Sequence, residues 1–452
     1  MPLTIKQLIE FSWMSQAAYL SLEGLDTNTP SSVLEQALRD SQNTNVGLNN
    51  VFSTKQATAF TGTSTPNDSN DGFAVVSHTP NDSTGFSATV FKSNAANTNR
   101  FTIAVRGTEP SSILSDLLNA DLIGVVTQGA AYKQTISAYR YYKQLTTAKG
   151  APVSYKPAEL TMMGDLFIQA YGLPVVGPGT RLDMFLTSLQ QDSGIDGLPA
   201  GATVNFAGHS LGGHVATLLA GLVNQFGTTQ IGDIATYNAP GMGGIFRLID
   251  VPVDVQAIRS HITNIIGKGG MTVTPNVGST SGLSDQLFIE TASLNQIANH
   301  SIVKLSDSLA VYDLFARVDA NLKPGDITSI LTASSNVAEN SLESAVTALG
   351  ELFQVPSAVV TGNAFDGAGR DKLYVALKDL ETELAKPANA GLSIKPFVTT
   401  LDNGKDIIMP GISLASSASA DTPDGTAFRY ALVKGALFAA NDDLFTSERS
   451  AA

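Results

Sequence analysis

The chain has 452 residues, 43% hydrophobic and 15% charged, enough apolar material for one large catalytic domain with insertions or for about three domains, and too much for a disordered chain. Forty acids against 27 bases leave a formal charge of −13, the wrong sign for a surface that must attract nucleic-acid phosphates. Cysteine is absent, which excludes disulfides, thiolate metal sites and cysteine nucleophiles.

Residues 1–22 carry one base, Lys6, and interrupt their apolar residues with Glu10, Ser12, Ser15 and Gln16, which is not the layout of a cleavable signal peptide. Thr4 followed three residues later by Gln7 fits a capping box, and Ile5, Leu8, Ile9, Trp13, Ala17 and Leu20 recur at near-helical spacing, so the chain opens on a packed helix. Residues 26–65 are rich in Ser, Thr, Asn and Gly. Residues 73–78, 85–92 and 100–105 then give three strands, the first two as a hairpin-like pair. The third runs into the polar turn Arg106, Gly107, Thr108, Glu109, Pro110, where Arg106 is expected to brace the loop.

Residues 113–123 follow at helical period, and 135–149 and 181–191 predict two more helices. The most regular unit is a strand at 202–207, a Gly-flanked turn and a helix at 211–226. Further strands are predicted at 234–237 and 261–266; beyond Ser301 the pattern is largely helical to about Leu384 and mixed thereafter. Strands alternating with helices argue for a mostly parallel sheet covered on both faces. No run of about 18 apolar residues could cross a membrane as a helix.

Chemistry concentrates in Gly208, His209, Ser210, Leu211 and Gly212, which match G-x-S-x-G between a predicted strand and a predicted helix. Such a turn is sharp, so Gly208 and Gly212, two residues to either side of the serine, must be small; the turn lifts Oγ out of the sheet and sets it at a helix N-terminus, whose unpaired N–H groups suit a developing oxyanion. A serine nucleophile needs a base, and the chain has five histidines: His78, His209, His214, His261 and His300. His209 and His214 sit on the nucleophile's own turn and helix, and are expected to line the site or pack. His78 precedes the serine, against the chain order of G-x-S-x-G hydrolases, and His261 opens a predicted strand. His300, in a loop just ahead of a helix, is the remaining candidate.

Together with Val105, Arg106, Gly107, Thr108 and with Asn299, His300, Ser301, this motif resembles the class-three lipases, an α/β-hydrolase group, and within it the bacterial lipase domains of secreted repeats-in-toxin proteins. The resemblance spans residues 73–312. It implies Ser210 as nucleophile, His300 as base, Thr108 and the backbone N–H of Leu211 as oxyanion hole, and residues 113–123 as a mobile lid; a plain core helix is the alternative for that segment. Where the family places its acid, after the strand at 261–266, the sequence Gly267, Lys268, Gly269, Gly270, Met271, Thr272 holds no carboxylate. Asp285, upstream of His300 on a Gly/Ser-rich connection, is the leading candidate, with Asp254 and Asp250 as alternatives.

The expectation is thus an α/β-hydrolase fold with a mostly parallel sheet, a lid and a helical C-terminal extension, divided as 1–312 and 313–452. The expected activity is hydrolysis of lipid esters, most simply triacylglycerols, at a lipid–water interface. Phospholipase A1 activity and a non-catalytic lipid- or protein-binding module are the alternatives. No metal-ligand spacing or phosphate-binding motif is present, so no cofactor is expected. Export without a cleavable signal peptide is favoured over a cytoplasmic location.

Overall fold

The structure is a computed structural model and describes residues 3–40, 51–62, 72–95, 99–107, 123–172, 177–241, 253–268, 283–290, 299–320, 322–334, 340–360, 370–389, 394–400 and 406–412. Helix α1 (Ile5–Ala17) begins at the predicted capping box, in which Gln7 N donates to Thr4 Oγ1 at 3.2 Å and Thr4 N donates to Gln7 Oε1 at 3.0 Å. Two helices follow in the polar stretch to which the sequence assigns none, α2 (Ser31–Arg39) and α3 (Thr54–Thr61); α3 has a capping box of its own, Ser53 with Gln56.

Strands β1 (Phe73–Thr79), β2 (Ala88–Ser93) and β3 (Arg100–Val105) form an antiparallel meander. From β3 onward the pairing is parallel, through β4 (Thr203–His209), β5 (Gln230–Tyr237) and β6 (Ile262–Lys268). With β7 (Leu283–Phe288) the order of the seven-stranded sheet is β1 to β7 in sequence order. His261 does not open β6; it ends a 3₁₀ turn, Arg259–His261, just before it.

Between β3 and β4 lie α4 (Ile123–Leu145), which starts twelve residues earlier than the predicted 135–149, α5 (Pro157–Tyr171) and α6 (Arg181–Leu189). Helix α7 (Leu211–Phe226) links β4 to β5. The central strands are apolar because helices cover them: Ile103, Val105, Val204 and Phe206 are wholly buried in one cluster with Tyr139 of α4 and Val215 and Leu219 of α7, while Ala104 and Ala207 are buried outside that cluster and α1 also packs on β3 and β4. Parallel strands joined by covering helices, with a G-x-S-x-G turn between β4 and α7, make this an α/β-hydrolase fold.

Two compact units emerge: residues 1–266, 271–285 and 300–303 in the first, and 267–270, 286–299 and 304–452 in the second. The second contains most of α8 (Ile302–Val318) with α9 (Pro324–Ala333), α10 (Ser341–Leu352), α11 (Arg370–Leu384) and the antiparallel hairpin β8 (Ile394–Thr400) and β9 (Asp406–Ile412). Its interior is fixed by a two-pronged ion pair, Arg370 Nε to Asp307 Oδ2 at 2.7 Å and Nη2 to Oδ1 at 2.8 Å, joined by the Tyr374 hydroxyl at 3.0 Å. Both carboxylate oxygens of Asp307 thus have partners, which a buried ion pair requires.

Candidate active site

Parallel register sets the neighbours of the turn: Val105 at the end of β3 pairs with Gly208, and Tyr237 at the end of β5 pairs with His209. The carboxyl ends of three strands therefore stand side by side, the position where sheets of this kind bind ligands. Ser210 follows directly, with φ +57° and ψ −134°, a conformation few L-residues adopt. It is held from both sides, since Ser210 N donates to Tyr237 O at 2.9 Å and Ser210 O accepts from Gly213 N at 3.0 Å.

The flanking glycines are required by close approach. A Cβ on Gly208 would lie 2.5 Å from the carbonyl carbon of Gly212, and one on Gly212 would lie 2.6 Å from that of Arg106. Both neighbours of Ser210 are buried while the serine is half-exposed, which is how the turn presents Oγ. Leu211, first residue of α7, has a backbone N–H without an intrahelical acceptor, as an oxyanion donor must.

After β3 the chain crosses this turn. A Cβ on Gly107 would stand 2.5 Å from the His209 carbonyl oxygen and 3.2 Å from Ser210 Cβ. Arg106 is buried, and its N–H donates to Ser87 O at 3.0 Å. Thr108 lies outside the described residues, as do residues 113–122 of the expected lid; Ile123 is the first residue of α4.

Of the five histidines, two meet at the turn. The rings of His209 and His300 are 4.8 Å apart between centroids and inclined at 43°. Both ring nitrogens of His300 are buried without a hydrogen-bond partner among the described residues, and burial lowers its pKa from 6.5 to about 4. A buried polar group left unpaired invites a functional explanation, and a base awaiting a proton from substrate chemistry is one. His209 is buried: its Nδ1 is 2.8 Å from the Tyr19 hydroxyl, and burial first, then the facing His300, pushes its pKa well down.

The remaining three are elsewhere engaged. His214 Nδ1 faces Pro240 O at 3.4 Å, His78 Nδ1 faces Thr89 Oγ1 at 2.8 Å, and the exposed His261 faces Gly232 O at 2.9 Å.

No carboxylate among the described residues shifts His300. Asp254 is exposed, and its Oδ1 accepts from the backbone N–H groups of Gln256 at 3.0 Å and Ala257 at 3.2 Å, so it caps a turn. Asp250 lies outside the described residues. Asp285 is the third residue of β7, not part of a folded-back connection, and its side chain is outside the described set. Sequence reasoning gave Tyr19 no role, because its contact with His209 spans 190 positions and no motif marks it.

Among the described residues no cluster of three His, Asp or Glu could hold a metal ion, and no helix is long and apolar enough to cross a membrane. No protein-family model matches the chain and no curated protein matches it in sequence, so the likeness to repeats-in-toxin lipase domains rests on its motifs alone. Solved structures that it resembles include the Lip2 lipase of Yarrowia lipolytica, at 13% identity and TM-score 0.29, over 63% of this chain and 79% of that one. The triacylglyceride lipase of Rhizomucor miehei follows at 14% and 0.28, over 63% and 80%. A lipase of Rhizopus microsporus var. chinensis matches at 13% and 0.29, over 66% and 85%. Scores this low add nothing about activity, and the fold assignment stands on the sheet order and the turn at Ser210.

Proposed function

We propose that the chain is a serine carboxylic-ester hydrolase of lipase type. The observation that carries the reading is the backbone of Ser210, φ +57° between a strand and a helix, at a turn where the His209 ring meets that of His300, whose ring nitrogens are buried without a hydrogen-bond partner among the described residues. A strained serine of this kind is retained where the strain serves chemistry. In the proposed cycle Ser210 Oγ attacks the ester carbonyl while His300 takes its proton, and the oxyanion is met by the Leu211 N–H together with Thr108. Collapse expels the alcohol, which receives the proton from His300, and leaves an acyl-enzyme. Water activated by the same histidine then releases the acid and restores the serine. Burial keeps His300 neutral at pH 7, the form in which it can accept the proton.

We assign the acid to Asp285, which alone among the candidates lies between β6 and His300. Triacylglycerols are the proposed substrate and a lipid–water interface the working surface, with residues 113–123 as the lid. A second reading, a non-catalytic binding module descended from a hydrolase, is favoured by one observation: no described carboxylate acts on His300. Purified protein assayed on emulsified triacylglycerol, on phospholipid and on a soluble short-chain ester separates these readings. Turnover of triacylglycerol that disappears in Ser210→Ala supports the lipase, release of the sn-1 acyl chain from phospholipid alone supports phospholipase A1, and no turnover on any substrate supports the binding module.

A further inference from the structure

One polar group at the Ser210 turn comes from far away in the sequence. Tyr19, which follows α1, is 7% exposed, and its hydroxyl is 2.8 Å from Nδ1 of His209. The same hydroxyl lies so close to Gly107 that a Cβ there would collide with it. Tyr19 thus touches both strand ends that build the site, the one after β3 and the one leading into Ser210. His209 is 2% exposed, and its ring also meets that of His300 at 4.8 Å between centroids. It is a buried histidine that the acyl-enzyme cycle does not use.

We infer that Tyr19 and His209 are positioning residues for the base: the tyrosine hydroxyl fixes the His209 ring, and that ring is the wall against which the His300 imidazole is held beside the nucleophile. The inference rests on the reading of Ser210 and His300 as nucleophile and base. In the tautomer in which Nδ1 accepts from the tyrosine hydroxyl, Nε2 carries the proton and His209 is uncharged, so the imidazolium that forms on His300 during each proton transfer meets no like charge across the ring contact. Ring packing fixes the tilt of His300 but not its tautomer, so the role is separate from that of a triad acid.

Tyr19→Phe removes the hydroxyl and keeps the ring and its burial. On a soluble short-chain ester, beside wild-type enzyme, kcat should fall about tenfold with KM unchanged and the melting temperature almost unaltered, because misplacing a base slows chemistry without weakening binding. If that variant does not fold, His209→Asn makes the same test, since it removes the ring that faces His300, and kcat alone should again fall. Wild-type kcat in the folded variant, or kcat and KM worsening together in step with lost stability, overturns the inference while leaving the proposed hydrolase standing. A wild-type protein that hydrolyses no ester overturns both.

Discussion

Replacing Ser210 by alanine and by glycine separates what the residue does for chemistry from what it does to stability. Both changes delete Oγ and should abolish ester hydrolysis, since loss of a nucleophile costs on the order of 10⁴ or more in turnover. They differ in the backbone. At φ +57° and ψ −134° any residue with a Cβ is strained, by roughly 1–3 kcal/mol, and glycine is not. Against this, glycine loses more freedom on folding, roughly 0.5–1 kcal/mol relative to alanine, so the net gain of Ser210→Gly over Ser210→Ala is about 1 kcal/mol. The two backbone hydrogen bonds at this residue, to Tyr237 O and from Gly213 N, are common to both variants and cancel. A gain of that size raises the melting temperature by about 2–4 °C for a domain of 150–250 residues and by less for a larger one, within reach of calorimetry or urea midpoints. A glycine variant no more stable than the alanine variant would refute the strain, and more than a tenth of wild-type turnover in either would refute the nucleophile.

Three further outcomes follow from the site. His300→Ala should be about as inactivating as loss of Ser210, while His78→Ala and His261→Ala remain mildly affected; an intolerant His261 would require the site to be redrawn. Asp285→Asn should lower kcat more than Asp250→Asn or Asp254→Asn. It should also move the acid limb of the kcat/KM profile downward, since removing a facing negative charge makes the imidazolium harder to form. An unmoved limb removes Asp285 from the triad. Serine in place of Leu117 and Leu118 should weaken hydrolysis of emulsified long-chain esters far more than of a soluble short-chain ester, because only an interface rewards an exposed apolar lid face. Equal losses with a lowered melting temperature would show a core helix instead.

The parts of the molecule most readable in sequence are those whose geometry is dictated locally. The unit β4, turn, α7 announces itself through a buried apolar strand, glycines that admit no Cβ and an apolar helix, and α1 through its capping box. Helices α2 and α3 lie in polar sequence where few buried positions mark a face: Leu34 and Leu38 in α2, Gln56, Ala57, Phe60 and Thr61 in α3. Signals for α3 and α5 lie at their starts, Ser53 capping with Gln56 in α3, and in α5 Pro157 at the first helical position with Glu159 accepting from Lys156 N, and they count for more than composition when the apolar period is short. Chain order and elimination bring His300 to the nucleophile turn, but nothing local could identify Tyr19, whose contact is made entirely by tertiary packing.

Covalent labelling bears most directly on the proposed chemistry, because a fluorophosphonate reacts with an activated serine and needs no knowledge of the natural substrate. Incubated with the purified chain and analysed by mass spectrometry of its peptides, it should form one adduct, on Ser210, absent in Ser210→Ala and formed far more slowly in His300→Ala. An unmodified protein, or an adduct on any other residue, would contradict the assignment of Ser210 as an activated nucleophile.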